Sequence, residues 1–438
     1  MPFRIVASLS GITRLFRTHG ANVLWLLMEK VALLASAVII GFWVVRTLGP
    51  EAYGAFSLAL SIVTVLTALS TMGLETVVLR QLAAEPSQAA PLLKAALVLR
   101  LAGSAVQVLL CWVAARLLIP EQFTVSVIAL ILASAALFRA PDVIGLWLQN
   151  RGRYRHAVVV RLLTRAAADA FRIWLIVIGA SVYAFASAFL VEAVASCLVF
   201  CWLGRDLLFQ HEGSPTVPVR RLLHDGTPLV TSGIVAALYA RIDQVILYPL
   251  MGAQATGHYA AAVRLSELFT IVATSIGTVA TTHYGALAGL GHADFDRRLS
   301  RYFRAMTGAG LALSAALSAG AVPIVSLVYG PAFTPAAGVL RIHAWSVALV
   351  FASVALEPWF FHRRMLQYFV PKTVLAFGFA VPVVWLFTRW WGPAGTAGGV
   401  VLTYIVSVFG TNALLPPLRE LWRFQWQALN PAGRHHEL

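Results

Sequence analysis

Long apolar stretches follow one another along most of this chain, with only short polar breaks between them. A helix that crosses a bilayer needs about 20 mostly apolar residues, and the pattern offers about a dozen such stretches. They are predicted at 22–47, 54–78, 93–117, 123–148, 157–179, 182–203, 227–249, 257–285, 302–328, 336–360, 367–388 and 394–417. The predicted fold class is therefore all-α, a polytopic membrane protein with about 12 transmembrane helices.

Composition favours the same fold class. Of the 438 residues, 59% are hydrophobic and 12% are charged, against roughly a quarter charged in an average soluble domain. The three cysteines all lie in apolar stretches without metal-ligand spacing. Neither a disulfide framework nor a bound metal is expected.

The net charge of +15 is concentrated in alternate loops. These basic regions are 4–17, 80–94, 151–161, 205–221, 297–304, 363–372 and 419–434. The opposite side carries only Arg46, Arg116 and Arg389. The positive-inside rule then predicts that both termini are cytoplasmic. A nucleic-acid partner is excluded, because it would need one folded basic surface.

The predicted helices divide into two sets of six. A polar break with two prolines at 204–226 predicts a cytoplasmic linker between an N-terminal lobe at 22–203 and a C-terminal lobe at 227–418. Cytoplasmic segments are expected at 1–21 and 419–438.

A short internal repeat supports this division. LGPEAYGAFSLA at Leu48–Ala59 aligns without gaps with MGAQATGHYAAA at Met251–Ala262. Six helices in each copy would make the two lobes parallel repeats around a central cavity. A chance match over so few residues is the alternative.

No catalytic or nucleotide-binding pattern accompanies the helices. The segments G-x-x-x-x-G-K-[ST], G-x-S-x-G and H-E-x-x-H are all missing from the sequence. We therefore expect neither a cofactor nor enzyme activity.

Ionisable residues inside the predicted helices are the candidates for function, because a charge at the bilayer centre costs at least about 2.5–3.5 kcal/mol. Opposite charges stand three residues apart, where they can pair on one helix face, in Arg139 with Asp142, Asp169 with Arg172 and Arg264 with Glu267. Arg241 and Asp243 are two residues apart and lie on different faces of one helix, so they must contact different neighbours.

Arg241 and Arg264 are predicted at one depth, roughly 12 and 10 Å inside the outer ends of adjacent helices at 1.5 Å per residue. An anionic ligand such as phosphate would relieve their mutual repulsion, and so would Glu267 or Asp243 as a carboxylate partner. Both interpretations stay open. Further candidate anion contacts are Arg172, Arg139 and Arg341, and candidates for proton or sodium coupling are Asp243, Glu267 and Glu29.

The segment RTLGPEAYGAFSLALSIVTVLTALSTMGLETVVLRQLA at Arg46–Ala83 resembles the signature of Wzx-type polysaccharide and O-antigen flippases, in the multidrug/oligosaccharidyl-lipid/polysaccharide (MOP) exporter superfamily. LQNRGRYRHAVVVRLL at Leu148–Leu163 and LVYGPAFTPAAGVLRIHAW at Leu327–Trp345 are similar to later parts of that family. The chain departs at Gln81, where the family often has an acidic residue after the arginine.

This resemblance implies passage of an undecaprenyl-pyrophosphate-linked oligosaccharide from the inner to the outer leaflet of the bacterial plasma membrane by alternating access. It implies membrane lipids and this lipid-linked oligosaccharide as partners, with a polymerase or other assembly proteins as further ones. An inside-negative potential favours outward movement of the pyrophosphate by roughly 2.3 kcal/mol per charge per 100 mV, and proton or sodium antiport is the alternative driving force.

Two rival functions remain. A cation-coupled multidrug exporter of the same superfamily would be expected to favour acidic cavity residues, whereas the deep charges of the second lobe lean basic. A membrane-embedded polysaccharide polymerase or ligase would be expected to have a large external loop, and the predicted external loops are short.

The charge pattern predicts that Arg153, Arg221, Arg298 and Arg364 all face the cytoplasm. In a variant without native cysteines, single cysteines at these positions should resist an impermeant thiol reagent added outside the cell. A cysteine at Arg116 is the outward-facing control. Labelling of two or more of the four positions would contradict the predicted topology.

Overall fold

The computed structural model describes residues 3–208, 219–286 and 291–430, with most side chains described from residue 25 onward. Within these ranges the chain is helical and has no strand. The helices are α1 (Phe3–Thr71), α2 (Leu74–Ala84), α3 (Ala89–Leu118), α4 (Phe123–Phe138), α5 (Val143–Asn150), α6 (Tyr154–Val177), α7 (Val182–Leu203), α8 (Arg205–Leu208), α9 (Val219–Ala286), α10 (His292–Ala319), α11 (Ala321–Tyr329), α12 (Ala336–His343), α13 (Trp345–Ala355), α14 (Glu357–His362), α15 (Phe369–Ile405), α16 (Thr411–Leu414) and α17 (Arg419–Leu429).

Helix lengths in the described ranges agree with about twelve membrane crossings. The helices α1, α9 and α15 are each too long for one span and are divided by a glycine with non-helical backbone, at Gly49, Gly252 and Gly392. The pairs α4 with α5 and α10 with α11 form bent spans. Three further spans are α3, α7 and the segment from α12 to α14, and the charged α6 is long enough to be another. The all-α prediction is confirmed.

The predicted helix boundaries differ from the structure mainly at polar ends. Helix α7 has the predicted bounds, whereas α1 is already helical at Phe3, within the predicted N-terminal segment. The arginines of 4–17 have side chains outside the described set. Of the predicted linker, 205–208 and 219–226 are helical. Residues 209–218, the side chain of Arg221 and the end of the tail at 431–438 lie outside the described residues.

The chain forms two compact units. The first comprises 1–47 and 62–234, and the second comprises 48–61 and 235–438. The short segment 48–61 contains the whole first copy of the repeat, so both copies belong to the second unit.

Small side chains make up much of each core, as at Ala96, Ala129 and Ala157 in the first unit and Ala261 and Ala273 in the second, all fully buried. Lipid tails are as apolar as leucine, so burial alone gives little drive for helices to associate in a bilayer. Close packing provides the stability instead, and alanine and glycine allow helix backbones to approach each other.

The two copies of the repeat pack against each other through their glycines. Gly49 and Gly252, at equivalent positions, both have positive φ, 72° and 81°, which favours glycine. A Cβ on Gly54 would collide with the carbonyl oxygen of Ala253, and one on Gly257 would collide with that of Pro50. Pro50 is the repeat equivalent of Ala253, so the contact is reciprocal and pseudo-symmetric.

This reciprocal contact predicts that Gly54→Ala or Gly257→Ala lowers the free energy of unfolding by about 1–3 kcal/mol, because the added methyl group meets fixed backbone. The measurement is thermal unfolding of the purified protein in detergent. Gly308→Ala is the matched control, since a Cβ there meets no atom within 4 Å. Equal stability of Gly54→Ala and the control would contradict the packing.

Candidate functional site

Arg241 and Glu267 form an ion pair in the second unit. Arg241 lies before the break of α9 and Glu267 after it, so the glycine turn brings the two side chains together. The Nη1 of Arg241 donates to Oε1 of Glu267 at 2.9 Å, and the side chains are 27% and 44% exposed. A guanidinium has five N–H donors. Among the described residues, Glu267 is the hydrogen-bond partner of Arg241, which leaves most of its donors for a ligand.

Arg264 lies close to the same pair. Its side chain forms a hydrogen bond with Tyr53, which belongs to the first copy of the repeat. Both Arg241 and Arg264 are within electrostatic range of Glu267 and of the Tyr53 hydroxyl. The second unit therefore places two guanidinium groups around one carboxylate and one tyrosine.

Asp243 faces another direction, as its spacing from Arg241 required. Its carboxylate is buried and accepts hydrogen bonds from the Tyr259 hydroxyl at 2.6 Å and from the Gln244 backbone N–H at 2.8 Å. The Gln244 side chain in turn accepts from Ser57 at 2.6 Å. Asp243 thus connects the two parts of α9, before and after the break, through its bond to Tyr259.

The first unit holds a denser ion-pair network around α6. Arg172 donates to Asp169 at 2.5 Å and to Glu192 of α7 at 3.1 Å, and its side chain is only 6% exposed. The ring of Phe189 covers it at 4.8 Å. The predicted pairing of Asp169 with Arg172 is confirmed, and this arginine has little capacity left for a ligand.

Glu29 and Arg161 form the second part of this network. Arg161 donates through Nε at 2.5 Å and through Nη2 at 2.9 Å to the two carboxylate oxygens of Glu29, a bidentate pair between α6 and α1. Arg165, one turn further along α6, donates to Ser36 at 2.9 Å and to Glu192 at 3.4 Å. Glu29 is therefore neutralised in this structure.

The predicted direct pair of Arg139 with Asp142 is wrong. α4 ends at Phe138, and Arg139 leads into a 3-10 turn at Ala140–Asp142, so spacing along an ideal α-helix does not apply. Arg139 instead lies 4.0 Å from Glu192, and Asp142 accepts from Ser196 at 3.2 Å. The side chain of Arg139 is 46% exposed.

Arg341 lies apart from these groups. It is exposed on α12, and no ion pair is described for it.

Sequence reasoning missed several members of both clusters. Arg161 and Arg165 were available from the pattern, because 161, 165 and 169 recur every four residues on one face of α6. Glu192 and Tyr53 gave no local signal, since their partners come from other helices.

Comparison with known proteins shows the family to which the chain belongs. The sequence pattern described as "Polysaccharide biosynthesis protein" matches residues 19–281, more than half of the chain. The chain belongs to this family of polysaccharide biosynthesis proteins. No curated protein matches the sequence.

Solved structures with this fold are membrane transporters. An inward-facing multidrug resistance MATE family transporter of the MOP superfamily aligns with a TM-score of 0.71 at 17% identity, covering 90% of this chain and 96% of that one. The lipid II flippase MurJ, in an inward closed conformation, aligns with a TM-score of 0.65 at 11% identity, covering 92% and 91%. The Vibrio cholerae MATE transporter VcmN, as a mutant, aligns with a TM-score of 0.58 at 13% identity, covering 95% and 99%.

These similarities give the polysaccharide biosynthesis protein the fold of MOP-superfamily transporters and identify it as a multi-pass membrane protein. The Wzx-type, MOP-superfamily resemblance seen in the sequence is confirmed.

The saturated contacts of Arg172 predict a structural role for it in this polysaccharide biosynthesis protein. Arg172→Ala should lower membrane abundance, because it leaves Asp169 and Glu192 without their buried partner, a loss of about 3–5 kcal/mol. Immunoblotting of membranes checks it, with exposed Arg389→Ala as the control. The double variant Arg172→Gln with Asp169→Asn should recover part of the abundance. Normal abundance of Arg172→Ala would contradict the structural role.

Proposed function

We propose that this protein is a flippase that moves an undecaprenyl-pyrophosphate-linked oligosaccharide from the inner to the outer leaflet of the bacterial plasma membrane by alternating access. In this proposal both termini are cytoplasmic, and the route serves surface polysaccharide biosynthesis. The observation that carries it is the incompletely engaged Arg241 beside Arg264 in the second unit, in a member of the polysaccharide biosynthesis family.

The chemistry of the two arginines supports a pyrophosphate ligand. A guanidinium fork can bind two phosphate oxygens at once, and pyrophosphate presents oxygens on two phosphorus atoms. Arg241 forms one hydrogen bond with Glu267, and the side chains of Arg241 and Glu267 are both partly exposed. A doubly charged ligand at Arg241 would compete with a single hydrogen bond to Glu267.

Glu267 is the acid that stays a candidate for proton or sodium coupling in this proposal. Asp243 and Glu29, the other two acids considered for ion coupling, have their hydrogen bonds inside the fold. The membrane potential drives the pyrophosphate outward.

The multidrug-exporter alternative is less well supported by the geometry. Organic cations would need a carboxylate that is free of basic partners. Of the acids considered for coupling, Glu29 and Glu267 are each ion-paired with an arginine, and Asp243 is buried and hydrogen-bonded.

The proposal predicts that Arg241→Ala lowers polysaccharide export about ten- to a hundredfold while membrane abundance stays normal, because one or two charge-assisted hydrogen bonds of about 1.5–3 kcal/mol are lost. Arg241→Lys should recover only part of the export, since lysine lacks the fork. Export is measured as surface polysaccharide, beside membrane abundance by immunoblot, with Arg389→Ala as the matched control.

Half-buried Arg264 is tested through Arg264→Lys, which keeps the charge and most of the volume. A structural role for Arg241 predicts the reverse order of effects: abundance falls first, and Glu267→Gln added to Arg241→Ala restores both abundance and export. Normal export from an abundant double variant, Arg241→Ala with Arg264→Ala, would remove both residues from substrate binding.

A further inference from the structure

A second candidate site lies wholly within the first unit. A half-open cavity of about 330 Å³ is lined by residues of α2, α3, α5, α6 and α7 and by Asp142 just before α5. Its polar lining and its one aromatic ring come from Glu75, Arg100, Asp142, Gln149, Arg161 and Phe200. Ligand-binding pockets start at about 300 Å³, so this volume suits one small ring rather than a whole oligosaccharide.

Arg100 is the reason to expect a ligand in this cavity. The residue is only 7% exposed, and within the described ranges no hydrogen bond or ion pair is formed by its guanidinium. Glu75 and Asp142 lie within electrostatic range of it but not in salt-bridge contact. A buried guanidinium without hydrogen bonds is costly, so the contents of the cavity must supply its acceptors.

Other polar groups of the lining are also incompletely engaged. One oxygen of Asp142 accepts from Ser196, and its other oxygen has no described partner. The side chains of Glu75 and Gln149 have no hydrogen-bond partner among the described residues. The cavity therefore presents free acceptors on Glu75 and Asp142, free donors on Arg100 and both kinds on Gln149.

The charges around the cavity balance, which argues against an ionic ligand. Arg100 and Arg139 are opposed by Asp142 and Glu75, and Arg161 is neutralised by Glu29. An anion would meet the carboxylates, and a cation would meet Arg100. A hydroxyl group both donates and accepts, so an uncharged ligand with several hydroxyls satisfies this lining without a net charge. Half-buried Leu79 and Leu146 offer the apolar contact that the C–H face of a sugar requires.

The cavity lies near the predicted cytoplasmic ends of its helices. Glu75 precedes basic Arg80 by five residues, and Gln149 precedes Arg151 by two. On α3, Arg100 follows Lys94 by six residues, about 9 Å along the helix. These basic residues belong to the loops that the positive-inside rule places in the cytoplasm.

We propose that this cavity binds one sugar ring of the glycan, presented from the cytoplasmic side. The proposal rests on the proposed flippase function for its natural ligand, but binding of a free sugar can be measured without transport. In this proposal the first unit recognises the glycan and the second unit recognises the pyrophosphate.

The test uses the purified full chain in lipid nanodiscs. Free N-acetylglucosamine, galactose and glucose are the probes, and saturation-transfer NMR detects their weak binding. At least one sugar should bind, and Gln149→Ala and Arg100→Gln should weaken it about three- to tenfold, the value of one hydrogen bond. The matched controls are Gln88→Ala, and Arg116→Gln at the other end of α3, which should bind like the unchanged protein.

Each result of this binding experiment either supports or overturns the proposed sugar site. Binding that is equal in Gln149→Ala and the controls would place the sugar elsewhere and overturn the proposal, as would failure of all three sugars to bind. Arg100-dependent binding of inorganic phosphate or choline, with no sugar binding, would show an ion site instead. Gln149→Ala keeps the test valid if Arg100→Gln does not fold, because Gln149 has no described partner.

Failure of the flippase function would look different. Sugar binding that depends on Gln149, in a protein that does not support polysaccharide export, would refute the flippase and leave the cavity as a sugar site. Normal export with no sugar binding would refute the cavity alone.

Discussion

Every charged side chain inside the bilayer has to meet an opposite charge, a hydrogen-bonding group or water, because hydrocarbon offers none of them. The first unit meets this constraint by pairing. Arg172 is held by Asp169 and Glu192, and Arg161 is held by both oxygens of Glu29. These contacts tie α6 to α1 and α7, so the charged face of α6 is what connects the helices around it.

The same constraint separates the structural arginines from the candidate binding arginines. Arg172 is buried and has carboxylates on both sides, whereas Arg241 has one bond to a half-exposed Glu267. Arg100 is buried, and its guanidinium forms no hydrogen bond or ion pair within the described ranges. Hydrogen-bond donors that the fold does not use must be satisfied by water or by a ligand. An arginine with unused donors therefore identifies a ligand-binding site better than its charge alone does.

The turn glycines show how a small local feature supports the packing of the second unit. Gly49 and Gly252 take a conformation that side chains disfavour, and each breaks a long helix. The turn at Gly252 brings Glu267 to Arg241 and Tyr259 to Asp243. Gly54 and Gly257 then let the two repeat copies touch backbone to backbone. Polar residues far apart on one helix thereby become neighbours.

Much of this protein follows from its sequence. The membrane fold, the helix positions and the family signature are local properties: apolar length, glycine spacing and a contiguous motif each show in a single stretch of chain. The pairing of Asp169 with Arg172 was also local, because both lie on one turn of α6.

Tertiary structure alone decided which charges pair and which stay free. Arg139 and Asp142 form no direct pair because α4 ends at Phe138, and ideal helix spacing no longer holds beyond it. Glu29 with Arg161 and Arg241 with Glu267 join residues far apart in the sequence. Only the packing of the helices around Arg100 showed that it is buried, without a hydrogen bond or ion pair to any described residue. Periodicity reports the face of a helix on which a residue lies, whereas the partner on the facing helix is set by packing.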